Sequence, residues 1–153
     1  MAPEAGGTRI GDYRYWVDER VRFNDLDLLG HVNNIAYVVY VETGRANFLR
    51  SIDMFDLGDR RQTVIVRFEI DYRREVQYPA DLRVGVRVLA IGNSSFQIGV
   101  GIFAGETCVA TARNAIVRWD RELHQAVALD DGERAALRSY LVGVSGIRDA
   151  TLG

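Results

Sequence analysis

The chain contains no lysine: all 19 of its basic residues are arginine. That absence removes Schiff-base chemistry, lysine general bases and the P-loop lysine together. A single cysteine, Cys108, cannot close a disulfide within the chain. There are two histidines, His31 and His124. Catalytic zinc usually takes several, and His124 is remote from Asp25, Asp27 and His31 on a polar segment, so no metal is expected. No apolar run approaches the roughly 18 residues of a membrane helix, and the longest candidate, IAYVVYV, is stopped by Glu42. The opening MAPEAGGTRI has neither a basic n-region nor an apolar h-region, so the expected location is the cytoplasm, with no membrane partner. A net charge of -2 without a basic patch gives no attraction to polyphosphate, and nucleic acid is not expected as a partner.

What is present fits an ordinary globular protein. With 153 residues, 48% hydrophobic and 26% charged, the chain suits one domain spanning 1–153. YWVDERVRF, residues 15–23, alternates with period two and predicts a first strand. From Asn34 to about Arg50, apolar groups lie on nearly every helical face. That predicts a long buried helix, with Asn33 or Asn34 as its cap. SIDMFDLGDRRQ reads as a connecting loop. TVIVRFEIDYRREV then sets Val64, Val66, Phe68, Ile70 and Tyr72 against Arg67, Glu69, Asp71 and Arg73, a strand pattern. LRVGVRVLAI, FQIGVGIFA and TCVATARNAIVRW follow, joined by the short turns GNSS and GE that imply antiparallel hairpins. DDGERAALRSYL, residues 130–141, predicts a short helix with acidic residues at its N-terminus, followed by a frayed GIRDATLG tail. The order is α+β: an antiparallel sheet of five strands curled around one long central helix, with a short C-terminal helix.

The densest chemistry lies in DLDLLGHVNN, residues 25–34. Its D-x-D-x-x-G start resembles a calcium loop, but the fifth position is Leu29 and the twelfth is Ala36, neither of them an oxygen side chain. Serine hydrolysis fares no better, since GVSG at 143–146 lacks the spacing of a nucleophile elbow. What remains is a carboxylate just ahead of a helix N-terminus. The first-turn amides lack intrahelical partners and carry about +0.5 of an elementary charge, so they can polarise a carbonyl and hold its oxyanion. The nearby aspartate can attack that carbonyl or activate water.

VRFNDLDLLGHVNNIAYVVYVETGR resembles the signature of hot-dog thioesterases of the 4-hydroxybenzoyl-CoA thioesterase type, D-x-D-x-x-G-H-V-N-N followed by Tyr and Glu on the helix. The matching residues are Asp25, Asp27, Gly30, His31, Val32, Asn33, Asn34, Tyr37, Tyr40 and Glu42, and the strand order resembles that fold across about residues 13–125. The resemblance implies hydrolysis of an acyl-CoA, or of an acyl carrier protein thioester, with no cofactor beyond the CoA of the substrate. It implies Asp27 as nucleophile or general base, the backbone N–H of Asn34 or a neighbour as the polarising donor, and His31 lining the site. Asn33, Tyr37 and Glu42 would support substrate binding. Ser94 and Ser95, in the GNSSF turn, would contact the CoA arm, with Arg60, Arg61, Arg73 and Arg74 as candidate phosphate contacts. It further implies a homodimer, or a dimer of dimers, with active sites at the seam. Each role has a plainer rival. Asp25 and Asp27 can fix the loop, His31 can serve as a loop hydrogen bonder, Asn33 and Asn34 can serve as cap and turn, and Ser94 and Ser95 are ordinary turn residues. A hydratase or dehydratase on the same fold, and a non-catalytic acyl-CoA-binding module, are the alternative functions.

Overall fold

A computed structural model describes residues 7–142 and the backbone of 151–152. The opening MAPEAG, the GVSG stretch and most of the GIRDATLG tail lie outside the described residues. The elements run β1 Tyr15–Arg20, α1 Asn34–Ser51, β2 Arg61–Tyr72, β3 Asp81–Gly92, β4 Ser95–Ala104, β5 Thr107–Asp120, β6 Gln125–Ala126, α2 Asp131–Arg138 and β7 Thr151–Leu152. The five principal strands form one antiparallel sheet in the order β1-β3-β4-β5-β2, with β6 added beside β5 and β7 parallel to β3. This is the hot-dog arrangement: the sheet wraps α1.

Inward positions of β3, β4 and β5 alternate as the pleat requires. Val84, Val86 and Val88, then Ile98, Val100 and Ile102, then Ala110, Ala112 and Ile116 meet Tyr40, Val41 and Phe48 of the helix in one core. Gly44 sets how close helix and sheet come: a Cβ there would lie 2.5 Å from Val84 Cγ1.

Three sequence expectations are corrected. The helix is not buried all round. Ala36, Tyr37, Tyr40, Val41, Gly44, Phe48 and Leu49 face the sheet, while Ile35 is 69% exposed and Val39 47% exposed on the other side. β1 stops at Arg20 instead of Phe23, because the chain turns into a short 3-10 segment, Phe23–Asp25, closed by Asp25 Oδ2 accepting from Arg22 N at 2.8 Å. The steady alternation expected of Val64 through Tyr72 is broken by a bulge between Ile65 and Arg67. One extra residue shifts the phase, so Ile65, Phe68 and Ile70 pack on the core while Val64 and Val66 are exposed.

The C-terminal helix is also shorter than expected. Asp130 caps it, its Oδ1 accepting from Glu133 N at 2.7 Å, and it ends at Arg138. Tyr140 and Val142 instead bond to the backbone of Val88, on the edge of β3 beyond the reach of β1. Glu133 anchors α2 to the sheet: its carboxylate lies 2.6 Å from Arg118 Nε and is also bonded by Arg61. No described helix is long and apolar enough to cross a membrane.

Candidate active site

At the end of the sheet where β1 finishes and β3 begins, residues 21–33 fold back on residues 73–80. Val21 N donates to Ala80 O at 3.0 Å, Val32 N to Val76 O at 3.0 Å, and His31 bridges Gln77. Asp25 fastens this loop to the helix. Its Oδ2 accepts from the buried Tyr40 hydroxyl at 2.5 Å, and its carbonyl accepts from Asn33 N at 2.8 Å. Burial and the Asp25 carboxylate push the Tyr40 phenol well above its ordinary pKa, so it remains a donor. Asp25 thus works as the structural residue of the motif.

Asp27 opens a tight reversal. Gly30 N donates to Asp27 O at 3.1 Å, and Asp27 N to His31 O at 2.9 Å. The turn needs Gly30 at φ 79°, a left-handed conformation in which glycine carries no steric penalty. Asp27 Oδ1 accepts from Leu29 N at 2.8 Å and His31 N at 3.2 Å, while Oδ2 has no partner among the described residues. One oxygen therefore holds the loop, as an Asx turn does, and leaves the other available.

The helix tip follows. Asn33 is the N-cap: its Oδ1 accepts from Ile35 N at 3.0 Å, and its carbonyl from Ala36 N at 2.9 Å. With Asn33 N held by Asp25, the amide of Asn34 is the first-turn donor without an acceptor among the described residues. A groove of about 450 Å³ is lined by Asp27, His31, Asn34 and Tyr37 from this segment, and by Tyr72, Arg73, Arg74 and Glu75 from the end of β2 and beyond. Tyr72 donates to Asn34 O at 3.1 Å, and Tyr37 donates to Arg74 O at 3.4 Å, so two phenols tie the helix tip to the opposite wall. Burial raises the Tyr37 pKa, which keeps its hydroxyl protonated at neutral pH. His31 Nε2 stands 3.7 Å from Glu75 Oε2. Asp27, with one carboxylate oxygen left free by the loop, Asn34, with an amide lacking an acceptor among the described residues, and His31 thus line one open cleft, residue types that can polarise and attack a carbonyl.

The model of the thioesterase-like superfamily matches residues 21–137, most of the chain and all of this site. The chain belongs to the thioesterase-like superfamily. A curated relative of this thioesterase-like chain, the uncharacterised protein YsmA of Bacillus subtilis (strain 168), is 31% identical over 120 residues, covering 76% of this chain and 80% of YsmA. Among solved structures, the PA5185 protein of Pseudomonas aeruginosa PAO1 superposes with a TM-score of 0.83 at 27% identity, covering 90% of this chain and 99% of that one. A thioesterase from Thermus thermophilus, complexed with coenzyme A and Zn, gives a TM-score of 0.75 at 29% identity, covering 82% of this chain and 98% of its own. Family and neighbours support thioester hydrolysis as the general chemistry. Among the described residues no three of His, Cys, Asp or Glu gather as metal ligands.

Of the residues singled out in the thioesterase-like sequence, the structure brings Asp27, His31, Asn34 and Tyr37 together, with Asn33 capping the helix behind them. Glu42 lies two helical turns away on the exposed face, 3.9 Å from Arg45, and does not line the groove. Ser94 and Ser95 sit at the opposite end of the sheet. Ser95 pairs with Val117, near the Arg61–Asp120 end, whereas the groove adjoins the Tyr72–Ala110 end. Within one chain they do not reach the groove. Arg60 and Arg61 are also at that far end, where Arg60 pairs with Asp120 at 2.8 Å and Arg61 with Glu133. The sequence reading missed Tyr72 and Glu75. They arrive from some forty residues downstream, and the only available signal was that β2 has to end beside the helix tip.

Proposed function

We propose that the chain hydrolyses an acyl-CoA thioester to the free acid and CoA. The thioester carbonyl lies at the Asn34 amide, whose N–H donates to the oxygen as negative charge builds there. The Asp27 oxygen not used by the loop takes a proton from water as the water oxygen adds to the carbonyl carbon. Alternatively that oxygen adds directly, and water then cleaves the mixed anhydride. In either route the carbon–sulfur bond breaks, and the departing thiolate takes up a proton that the attacking water gave up, with His31 lining the groove beside it. One oxyanion donor is worth about 2.7–4 kcal/mol of barrier, and a positioned base about 10²–10⁴ in rate.

The observation that supports this reading is that Asp27, with a carboxylate oxygen free of the loop, and Asn34, whose amide has no acceptor among the described residues, line the same groove. The CoA bound to the Thermus thermophilus relative supports a CoA-type ligand. A homodimer, or a dimer of dimers, is part of the proposal. β2 is the last strand of the sheet, with one long edge unpaired among the described residues, and Val64, Val66, Ile35 and Val39 leave apolar surface exposed on that strand and on the helix.

The test is a thiol-release assay on short, long and aromatic acyl-CoAs. Release with at least one class is expected. Binding of acyl-CoA without thiol release by any of them favours a non-catalytic module and defeats the hydrolase.

A further inference from the structure

The groove is a poor place for an alkyl chain. Among the described residues Val32 is the one aliphatic side chain that lines it, and Val32 is itself buried. Its other walls are charged and polar side chains and two phenols. Small-molecule sites are as a rule mostly apolar with a few polar groups, and here the proportion is reversed. Ile35 and Val39, the exposed apolar residues near the start of α1, lie outside the groove.

The charges on these walls do not all find partners. Glu75 Oε2 stands 3.7 Å from His31 Nε2. Asp27 Oδ1 is held by the Leu29 and His31 amides. Arg73 Nε donates to Thr111 Oγ1, on β5, at 3.1 Å. The Arg74 guanidinium makes no ion pair and no hydrogen bond among the described residues. Its backbone, by contrast, is fastened from both sides: Arg74 N donates to Val109 O at 3.1 Å, and Arg74 O accepts from the Tyr37 hydroxyl at 3.4 Å. Tyr37 sits three residues beyond Asn34, about one helical turn. The same phenol that lines the groove thus ties Arg74 to the helix that carries the polarising amide. A fixed backbone with an unengaged guanidinium is a cation held ready for an anion, and a guanidinium takes a carboxylate through two parallel N–H···O bonds. The diphosphate of CoA is not that anion, because the whole pantetheine arm separates it from the reacting sulfur, whereas Arg74 shares one groove with Asp27 and Asn34. The acyl side of the thioester can bring an anion within a few carbon atoms of the carbonyl.

We infer that Arg74 selects the acyl group by binding a carboxylate at its far end, so that the substrate is the monothioester of a short dicarboxylic acid. The inference rests on the thioesterase reading and names the substrate class of that same site.

The experiment measures thiol release, corrected for spontaneous hydrolysis, from malonyl-, succinyl-, glutaryl- and adipyl-CoA, each against the acyl-CoA of the same chain length without the carboxylate. In wild-type protein at least one diacid thioester is expected to exceed its partner in kcat/KM. In Arg74→Gln that diacid-to-monoacid ratio falls about tenfold, the low end for a hydrogen bond to a charged group. Arg74→Lys, which keeps the charge without the fork, lies between the two. Each ratio is taken within one protein preparation, so a smaller folded fraction does not alter it. A wild-type preference for the monoacid at every length overturns the inference while leaving the hydrolase standing. An unchanged ratio in Arg74→Gln also overturns it, including an equal loss on both members of a pair, the result of a contact to CoA phosphates or of loop damage. If wild-type protein releases thiol from none of these thioesters, the hydrolase reading fails separately, and calorimetric titration with succinate and glutarate decides the subsite. Binding that Arg74→Gln loses upholds it, and no binding to wild type refutes it.

Discussion

Replacing Asn33 by aspartate separates the two tasks of the helix tip. The variant keeps an oxygen where Asn33 Oδ1 now accepts from Ile35 N at 3.0 Å, so the cap survives. A negative charge at that end of α1 also complements the macrodipole, a gain of about 0.3–1 kcal/mol. Thermal unfolding is therefore expected at the wild-type temperature or a few degrees above it. The same carboxylate is one residue from the Asn34 amide. A thioester oxygen bonded to that amide at about 2.9 Å would sit roughly 6 Å from the new charge, and at an effective dielectric constant of about 20 the repulsion is about 3 kcal/mol. Because the groove is open to solvent, about half to all of that figure survives, a loss of roughly tenfold to a hundredfold in kcat. The loss should shrink as ionic strength rises. Asn33→Ala gives the converse pattern: about 1 kcal/mol of stability lost with the cap, roughly 2–4 °C in Tm, and kcat within a few-fold of wild type. The assays are calorimetric Tm and thiol release at low and high salt. Wild-type kcat in Asn33→Asp at low salt would refute the claim that negative charge develops at the helix tip.

Two further predictions concern what holds the scaffold behind the site. Glu133→Gln removes the charge between Arg118, at 2.6 Å, and Arg61 while the side chain keeps an oxygen for the Asp130 amide. Breaking such a buried pair from one side costs about 3–5 kcal/mol, to be read as a lower urea midpoint with kcat of the folded fraction unchanged. Asp120 is held below its ordinary pKa, first by the Leu123 amide and then by Arg60 and the Glu122 amide. A carboxylate whose native pKa is depressed stabilises the fold above the unfolded value near 4, and that contribution is lost as pH falls through the lower native value. The Tm difference between wild type and Asp120→Asn should be largest near neutrality and shrink toward zero on acidification. A constant difference would mean the carboxylate charge is not what matters there.

How far the sequence showed this fold depends on which signal is considered. Hairpins between β3, β4 and β5 were legible because their inward residues alternate and their turns are short. The cap at Asn33 was legible because asparagine before an apolar helical run has a mechanical reason to be there. Which face of α1 meets the sheet was not, since Ile35 and Val39 are as apolar as Tyr40 and Val41, and only the tertiary arrangement distinguishes them. Nor was the bulge in β2, because one inserted residue changes the phase of Val64 and Val66 without changing the composition of the strand. At the site, Asp27, His31 and Asn34 lie within eight positions, so local geometry alone places them together. Tyr72, Arg74 and Glu75 enter through pairing across the fold, which no local pattern encodes. The anchoring of α2 through Glu133 to Arg118 and Arg61 was equally hidden, since each of these residues reads singly as a surface charge.

The central claim is that the free oxygen of Asp27 acts on a thioester polarised by Asn34. Asp27→Asn tests it most directly, because the amide oxygen can still accept from Leu29 N and His31 N, leaving the loop intact while removing the base. Thiol release by the variant on the best acyl-CoA should fall by about 10²–10⁴, with Tm within a few degrees of wild type. Turnover within a few-fold of wild type would contradict the account.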